Sequence, residues 1–243
     1  MKKKPIVLVA AGIVIVAVIS GYTMLNKTLG NNVEIESVIP AQSQATDTAG
    51  NKEVASAEGS TGAAAGAAVT AEQLNGNWTI ADTSKVYWSV TTSKETVNFV
   101  NPTVTGSWNV NLEDVASMTG EGTVNMATLD SGNGQRDGHV KGKDFLDVEA
   151  FPQSTFTAKS FSELPTEWVE GTAVPMELQG TLTVKGIAKD VTFQTEAAYS
   201  GGQLMLSGTT TVNFSDFGMS NPHTVVLDTE NTLEVRLELV LTK

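Results

Sequence analysis

Between Thr232 and Thr242 the chain alternates. Leu233, Val235, Leu237, Leu239 and Leu241 take one parity, and Glu234, Arg236, Glu238 and Val240 take the other. A period of two belongs to a strand with one buried face, because successive side chains leave opposite faces of a pleated backbone. A helix would scatter the same residues around its axis. The pattern recurs at Val174, Met176, Leu178, Leu182 and Val184, with Gly180 among them and Glu177, Thr181 and Lys185 on the other parity. A glycine inside so long a strand predicts a bend or bulge of the sheet. Residues 185–190 read as a hairpin turn leading into Val191 and Phe193.

Further strands are predicted at 85–90, 96–100, 106–111, 121–129, 155–160 and 203–214, about eight in all and mostly joined by short turns. An antiparallel set of that size closes or sandwiches, since closure removes adhesive edges. Eight strands leave room inside for packed side chains or one small ligand. The expectation is an all-β antiparallel barrel, interrupted at 136–152 by a loop with a short helix.

The aromatic residues bound the folded unit. Of 15 Phe, Tyr and Trp, only Tyr22 precedes Trp78. An ordered core needs large apolar side chains to offset chain entropy, so the barrel domain is predicted over 77–243. Residues 31–76 are rich in Ala, Gly, Ser and Thr and read as a flexible linker, about 35 Å end to end as a coil. Before it, Lys2, Lys3 and Lys4 precede an uncharged run from Pro5 to Leu25. That run is long enough to span a bilayer as a helix, with the lysines on the cytoplasmic side and the barrel outside. Residues 1–30 are therefore expected to be a membrane anchor, with the domain in a periplasm or on the outer cell surface. The rival reading is a signal peptide cleaved near Ser20, which would release a secreted domain.

Charge and cysteine content exclude several classes. From Asn77 onward there are 21 Asp and Glu against 10 Lys and Arg, with no basic cluster to track a phosphate backbone. Nucleic acid is not an expected partner. With no cysteine, disulfides, thiolate metal sites and cysteine nucleophiles are absent.

The segment Gly134–Phe156 carries an Arg136-Asp137-Gly138-His139 run, the pair Asp144-Phe145, Phe151-Pro152, and a strand opening at Phe156. With Trp78-x-Ile80 followed by Asp82 and Ser84, with Gly180-Thr-Leu-Thr-Val-Lys-Gly186, and with Asn213-Phe-Ser-Asp-Phe-Gly218 taken as a late strand, it resembles the YceI-like family over nearly the whole domain. The chain departs from that pattern at Thr83-Ser84 and between Thr91 and Gly106. The resemblance implies a lipocalin-like extended barrel with an elongated apolar cavity for polyisoprenoid-type lipids or isoprenoid quinones. It implies a binding protein rather than an enzyme, with no cofactor.

Trp88, Phe145, Phe156, Leu182, Val184, Phe193, Leu206, Phe214 and Phe217 are expected to point inward and contact that lipid. Periodicity alone leaves open whether they fill a core or line a cavity. Arg136 and His139 are candidate head-group contacts. The simpler reading of Arg136, Asp137 and His139 is a hydrogen-bonded network pinning residues 136–152 to the barrel. Catalysis by His139 oriented by Asp137 lacks a nucleophile in an activating motif, since neither Ser131 nor Ser154 has one. His139 and His223 lack the spacing of a metal site, and the run Asp144, Asp147, Glu149 lacks that of a calcium loop. Homodimerisation is left open.

Overall fold

Alternating strands become the wall of a closed sheet. The computed structural model describes residues 30–39, 66–220 and 228–243. In chain order these hold β1 (Ala68–Val69), α1 (Ala71–Leu74), β2 (Gly76–Ile80), β3 (Lys85–Thr92), β4 (Thr96–Asn101), β5 (Val104–Val110), β6 (Thr119–Asn125), α2 (Gly134–Lys141), β7 (Gln153–Phe161), β8 (Trp168–Val169), β9 (Val174–Val184), β10 (Ile187–Ser200), β11 (Gln203–Asn213) and β12 (Thr229–Thr242). Eight strands make the ring, in the order β2, β5, β6, β7, β9, β10, β11, β12 and back to β2. Every pairing around it is antiparallel.

The remaining long strands extend the wall. β3 continues β2 along the same edge of β12, and β4 pairs with β3 just as β5 pairs with β2. The break between β2 and β3 is clasped by Ser84, whose hydroxyl accepts from the Val240 N–H at 2.9 Å and donates to the Val240 carbonyl at 3.2 Å. The Ser84 side chain thus serves the wall.

The predicted parities point as expected. Leu233, Val235, Leu237, Leu239 and Leu241 are buried, as are Val174, Met176, Leu178, Leu182 and Val184. The irregularity predicted at Gly180 lies across from it, where the β7–β9 register shifts between Ala158 and Ser160. A side chain at Gly180 would collide with the Phe156 ring and with the Thr157 carbonyl oxygen. The glycine is the floor on which Phe156 lies.

The structure differs from the sequence expectations in four places. The β9–β10 turn is only Lys185-Gly186, both at positive φ (52° and 73°), as a two-residue turn that matches strand twist requires. The segment Phe214–Phe217 is a 3-10 turn and not a strand end, because Asn213 and Asp216 cap it reciprocally and Gly218 closes it at φ 66°. β6 ends at Asn125, whose side chain accepts from the Ala127 N–H and starts another 3-10 turn. The fourth concerns the expected linker, of which both ends are packed on the barrel. Residues 66–75 form β1, paired with β8, and α1. Residues 30–39 lie against the outside of β3 and β12. The expected anchor over Pro5–Leu25, most of the low-complexity stretch and His223 lie outside the described residues. Among those described, no helix is long and apolar enough to cross a membrane.

Candidate functional site

One end of the barrel is roofed by α2 and the loop after it. The sequence Gly134-Gln-Arg-Asp-Gly-His-Val-Lys141 holds two glycines and has poor intrinsic helicity. Its N-terminal half is fixed by side chains instead. Asn133 caps the first turn, accepting from the Gln135 and Arg136 N–H groups at 3.1 and 3.2 Å. Asp137, buried, accepts from both the N–H and the hydroxyl of Ser131. Arg136 donates through Nε to Ser131 Oγ at 2.9 Å and through Nη2 to the Ser131 carbonyl at 3.0 Å. Both terminal nitrogens also reach the Gly30 carbonyl at 3.3 Å. Burial pulls the Arg136 guanidinium below its ordinary value, while the charges of Asp137 and Glu95 oppose that shift. It stays charged at any physiological pH.

Beneath the roof is a cavity of about 200 Å³. Its wall holds Trp88, Phe99, Val184, Phe214 and Phe217, and its roof Phe145, Leu146, Val140 and the apolar parts of Arg136 and His139. Trp88 is held by its indole N–H, which donates to Asn101 Oδ1 at 2.8 Å, and Asn101 is itself fully buried. The Arg136 guanidinium lies 5.7 Å above the Phe99 ring. His139 meets Phe145 edge to face with ring centres 4.9 Å apart.

Two narrow voids of about 30 Å³ each continue along the axis. Trp88, Phe156, Leu182 and Phe193 line the middle one, and Leu206 lines the far one beneath α1 and Trp168. Phe156 and Phe193 pack edge to face at 5.4 Å. Two buried polar atoms, Trp108 Nε1 and Ser154 Oγ, are without a hydrogen-bond partner among the described residues, and both side chains line the middle void.

The eleven sequence candidates therefore divide. Trp88, Phe145, Val184, Phe214, Phe217, Arg136 and His139 come together at the large cavity. Phe156, Leu182 and Phe193 surround the middle void, and Leu206 the far one. The expected pinning network exists through Arg136 and Asp137, whereas His139 joins by ring contact. Ser131 is engaged by both Arg136 and Asp137. Among the described residues no group of three or more His, Asp or Glu gathers where a metal could sit.

Sequence reasoning missed Phe99, Val97 and Met126 on the cavity wall. Phe99 and Val97 share a parity on β4, so alternation could have found them. It also missed residues 30–39. There Val33, Ile35 and Val38 are half-buried and Ile39 is buried, while Glu34 and Glu36 face out. That alternation is written in the sequence but is short and set in a polar, low-complexity region.

Comparison with known proteins places this geometry. The YceI-like domain model matches residues 78–241. A UPF0312 protein of Shewanella sp. (strain W3-18-1) is 28% identical over 120 residues, which is 47% of this chain and 59% of that protein. The chain thus spans about three-fifths of that curated relative's length. Among solved structures, BcnA of Burkholderia cenocepacia superposes with a TM-score of 0.55 at 21% identity, over 65% of this chain and 95% of that one. A polyisoprenoid binding domain from Saccharophagus degradans, implicated in plant cell wall breakdown, superposes at 0.53 and 10% identity, over 69% and 98%. At such identities the two structures speak for the fold.

Proposed function

The chain belongs to the YceI-like family, and from that premise we propose that it binds an isoprenoid-type lipid, a polyprenol or an isoprenoid quinone, inside its barrel. The observation that carries this reading is the apolar cavity beneath α2, about 200 Å³, with Phe145 and Leu146 in its lining. Burial of hydrocarbon contributes about 0.8 kcal/mol per CH₂ before ordering costs. A ligand held that way needs few polar contacts, and this lining offers few. The polyisoprenoid binding domain among the structural neighbours supports the same ligand class.

The proposed setting is the outer side of the cytoplasmic membrane, with the Pro5–Leu25 run as anchor and the barrel sequestering lipid or handing it on. In this reading the protein is a carrier and not a catalyst. Ser131 and Asp137 are spent on holding α2, and His139 packs on an aromatic ring. A second reading, a protein-interaction module with a filled core, is favoured by the narrowness of the two inner voids.

Organic extraction of the purified protein before and after denaturation, followed by mass spectrometry, separates the two. Stoichiometric isoprenoid released only on denaturation is the expected result. Protein that is empty and also refuses added quinones and polyprenols would leave the interaction module standing.

A further inference from the structure

We infer that residues 30–39 fix the barrel with its α2-roofed end turned toward the membrane that carries the N-terminal run. The inference rests on the anchor reading of Pro5–Leu25. It replaces a leash of some forty residues by a short stalk.

The strap is held along its length. The Asn31 N–H donates to Glu95 Oε2 at 3.0 Å, and Asn98 donates through its side chain to the Val33 carbonyl at 2.9 Å. The Glu36 N–H donates to the Tyr87 hydroxyl, and Glu36 pairs with Lys85. The Val38 N–H donates to Glu238 Oε2 at 2.8 Å.

Glu238 shows that this face is built to be covered. It has the outward parity of β12, between Leu237 and Leu239, yet it is fully buried. Its other oxygen accepts from Arg236 Nε and Ser207 Oγ, both at 2.8 Å. Tyr87, also outward on β3, is 1% exposed. Taking a carboxylate out of water is costly unless its partners are in place, and here Val38 of the strap supplies one of them, beside Arg236 and Ser207.

The strap begins at the cavity. Gly30 is hydrogen-bonded to Arg136 of α2, and only four residues, Asn26 to Leu29, separate it from Leu25, the last residue of the apolar run. The five steps from Leu25 to Gly30 reach at most about 18 Å. The long low-complexity segment follows the strap, so it does not lie between membrane and barrel. The opposite end is tens of ångströms away, since β12 alone runs 14 residues at about 3.3 Å each. Charge agrees with this orientation. The far-end loops 111–118 and 162–173 hold Glu113, Asp114, Glu163, Glu167 and Glu170, against Lys243, whose ammonium donates to the carbonyls of Glu72, Gln73 and Asn75 beside α1. At the α2 end, Lys94, Lys141, Lys143 and Lys185 interleave with the carboxylates. An anionic bilayer repels the first end more than the second.

The chain's lack of cysteine makes the test direct. Asp144→Cys at the α2 end and Glu113→Cys at the far end, both exposed positions, are labelled with a fluorophore in the full chain. The protein is then reconstituted into vesicles of mixed zwitterionic and anionic phospholipid containing a headgroup-linked quencher. Quenching several-fold stronger at position 144 is expected, and equal or reversed quenching overturns the inference. Ile39→Asp and Val38→Pro, both within the strap, should erase the difference, with near-ultraviolet dichroism showing the cavity end still folded. A difference that survives both variants shows that the strap does not set the orientation. Flotation of the same vesicles distinguishes the two readings. A chain that does not float sinks the anchor and this inference with it, whereas floating with equal quenching sinks the inference alone.

Discussion

Single residues decide how much room the barrel holds, and Gly180 shows it most sharply. A methyl group there would press on the Phe156 ring and on the backbone carbonyl of Thr157. Overpacking of this kind costs about 1–3 kcal/mol, so Gly180→Ala should lower the denaturant midpoint accordingly. Adding Phe156→Leu should recover only part of the loss, because the Thr157 carbonyl is backbone and stays in place. Full recovery in the double variant, read from the same unfolding curves, would mean that the ring alone sets the clash. The sequence marked Gly180 as a special position but not why. It could not show which ring lies over the gap, since Phe156 arrives from a strand more than twenty residues earlier.

At the scale of elements, legibility followed periodicity. Strands whose burial comes from the barrel interior declared themselves, because one face meets the core at every second residue. Elements held by side-chain caps were harder. α2 has no apolar stripe that a sequence could display, and it persists through Asn133, Asp137 and Arg136. The family resemblance predicts a strand over the turn at Phe214–Phe217, whose two aromatics are buried as a strand's inward residues would be. The strap was lost for a different reason. What it covers, Tyr87 and Glu238, lies 51 and 200 residues from its contacts, so outward-facing residues that are buried looked like residues in water.

The strap also has a pH signature. The hydrogen bond from Lys85 holds the Glu36 carboxyl below its ordinary 4.5, and the same contact raises Lys85 above its ordinary 10.5. A lowered carboxyl adds stability above its unfolded value and loses it as pH falls through the folded one. A raised lysine adds stability below its unfolded value and loses it as pH climbs through the folded one. Strap docking should therefore be constant between those limits and weaken outside them, modestly, since the pair is exposed to screening. Amide chemical shifts of Glu36 and Val38 followed across pH provide the check. A titration step near neutrality would point to a different group controlling the strap.

For the whole molecule the question is how far a ligand reaches along the axis. A cavity of 150 Å³ accepts benzene, so about 200 Å³ takes roughly one or two isoprene units, and the voids beyond are smaller than a ring. A longer chain must pass Trp88, which lines both the cavity and the middle void and is tied to Asn101. Removing that tie and some of the ring, as in Trp88→Phe, leaves the carbonyl of the Asn101 side chain unpaired and should destabilise the empty barrel by about 1–3 kcal/mol. It should also widen the passage. Binding of a two-unit isoprenoid alcohol should change little, while the affinity for an eight-unit one should rise relative to it. The comparison can be read from thermal shifts at matched ligand concentrations, because a ligand that binds only the folded state raises its stability by mass action. If the ratio of the two affinities is unmoved by Trp88→Phe, the chain ends at Trp88. The inner voids then belong to the packed core, and the bound lipid is a short one or keeps most of its length outside the barrel.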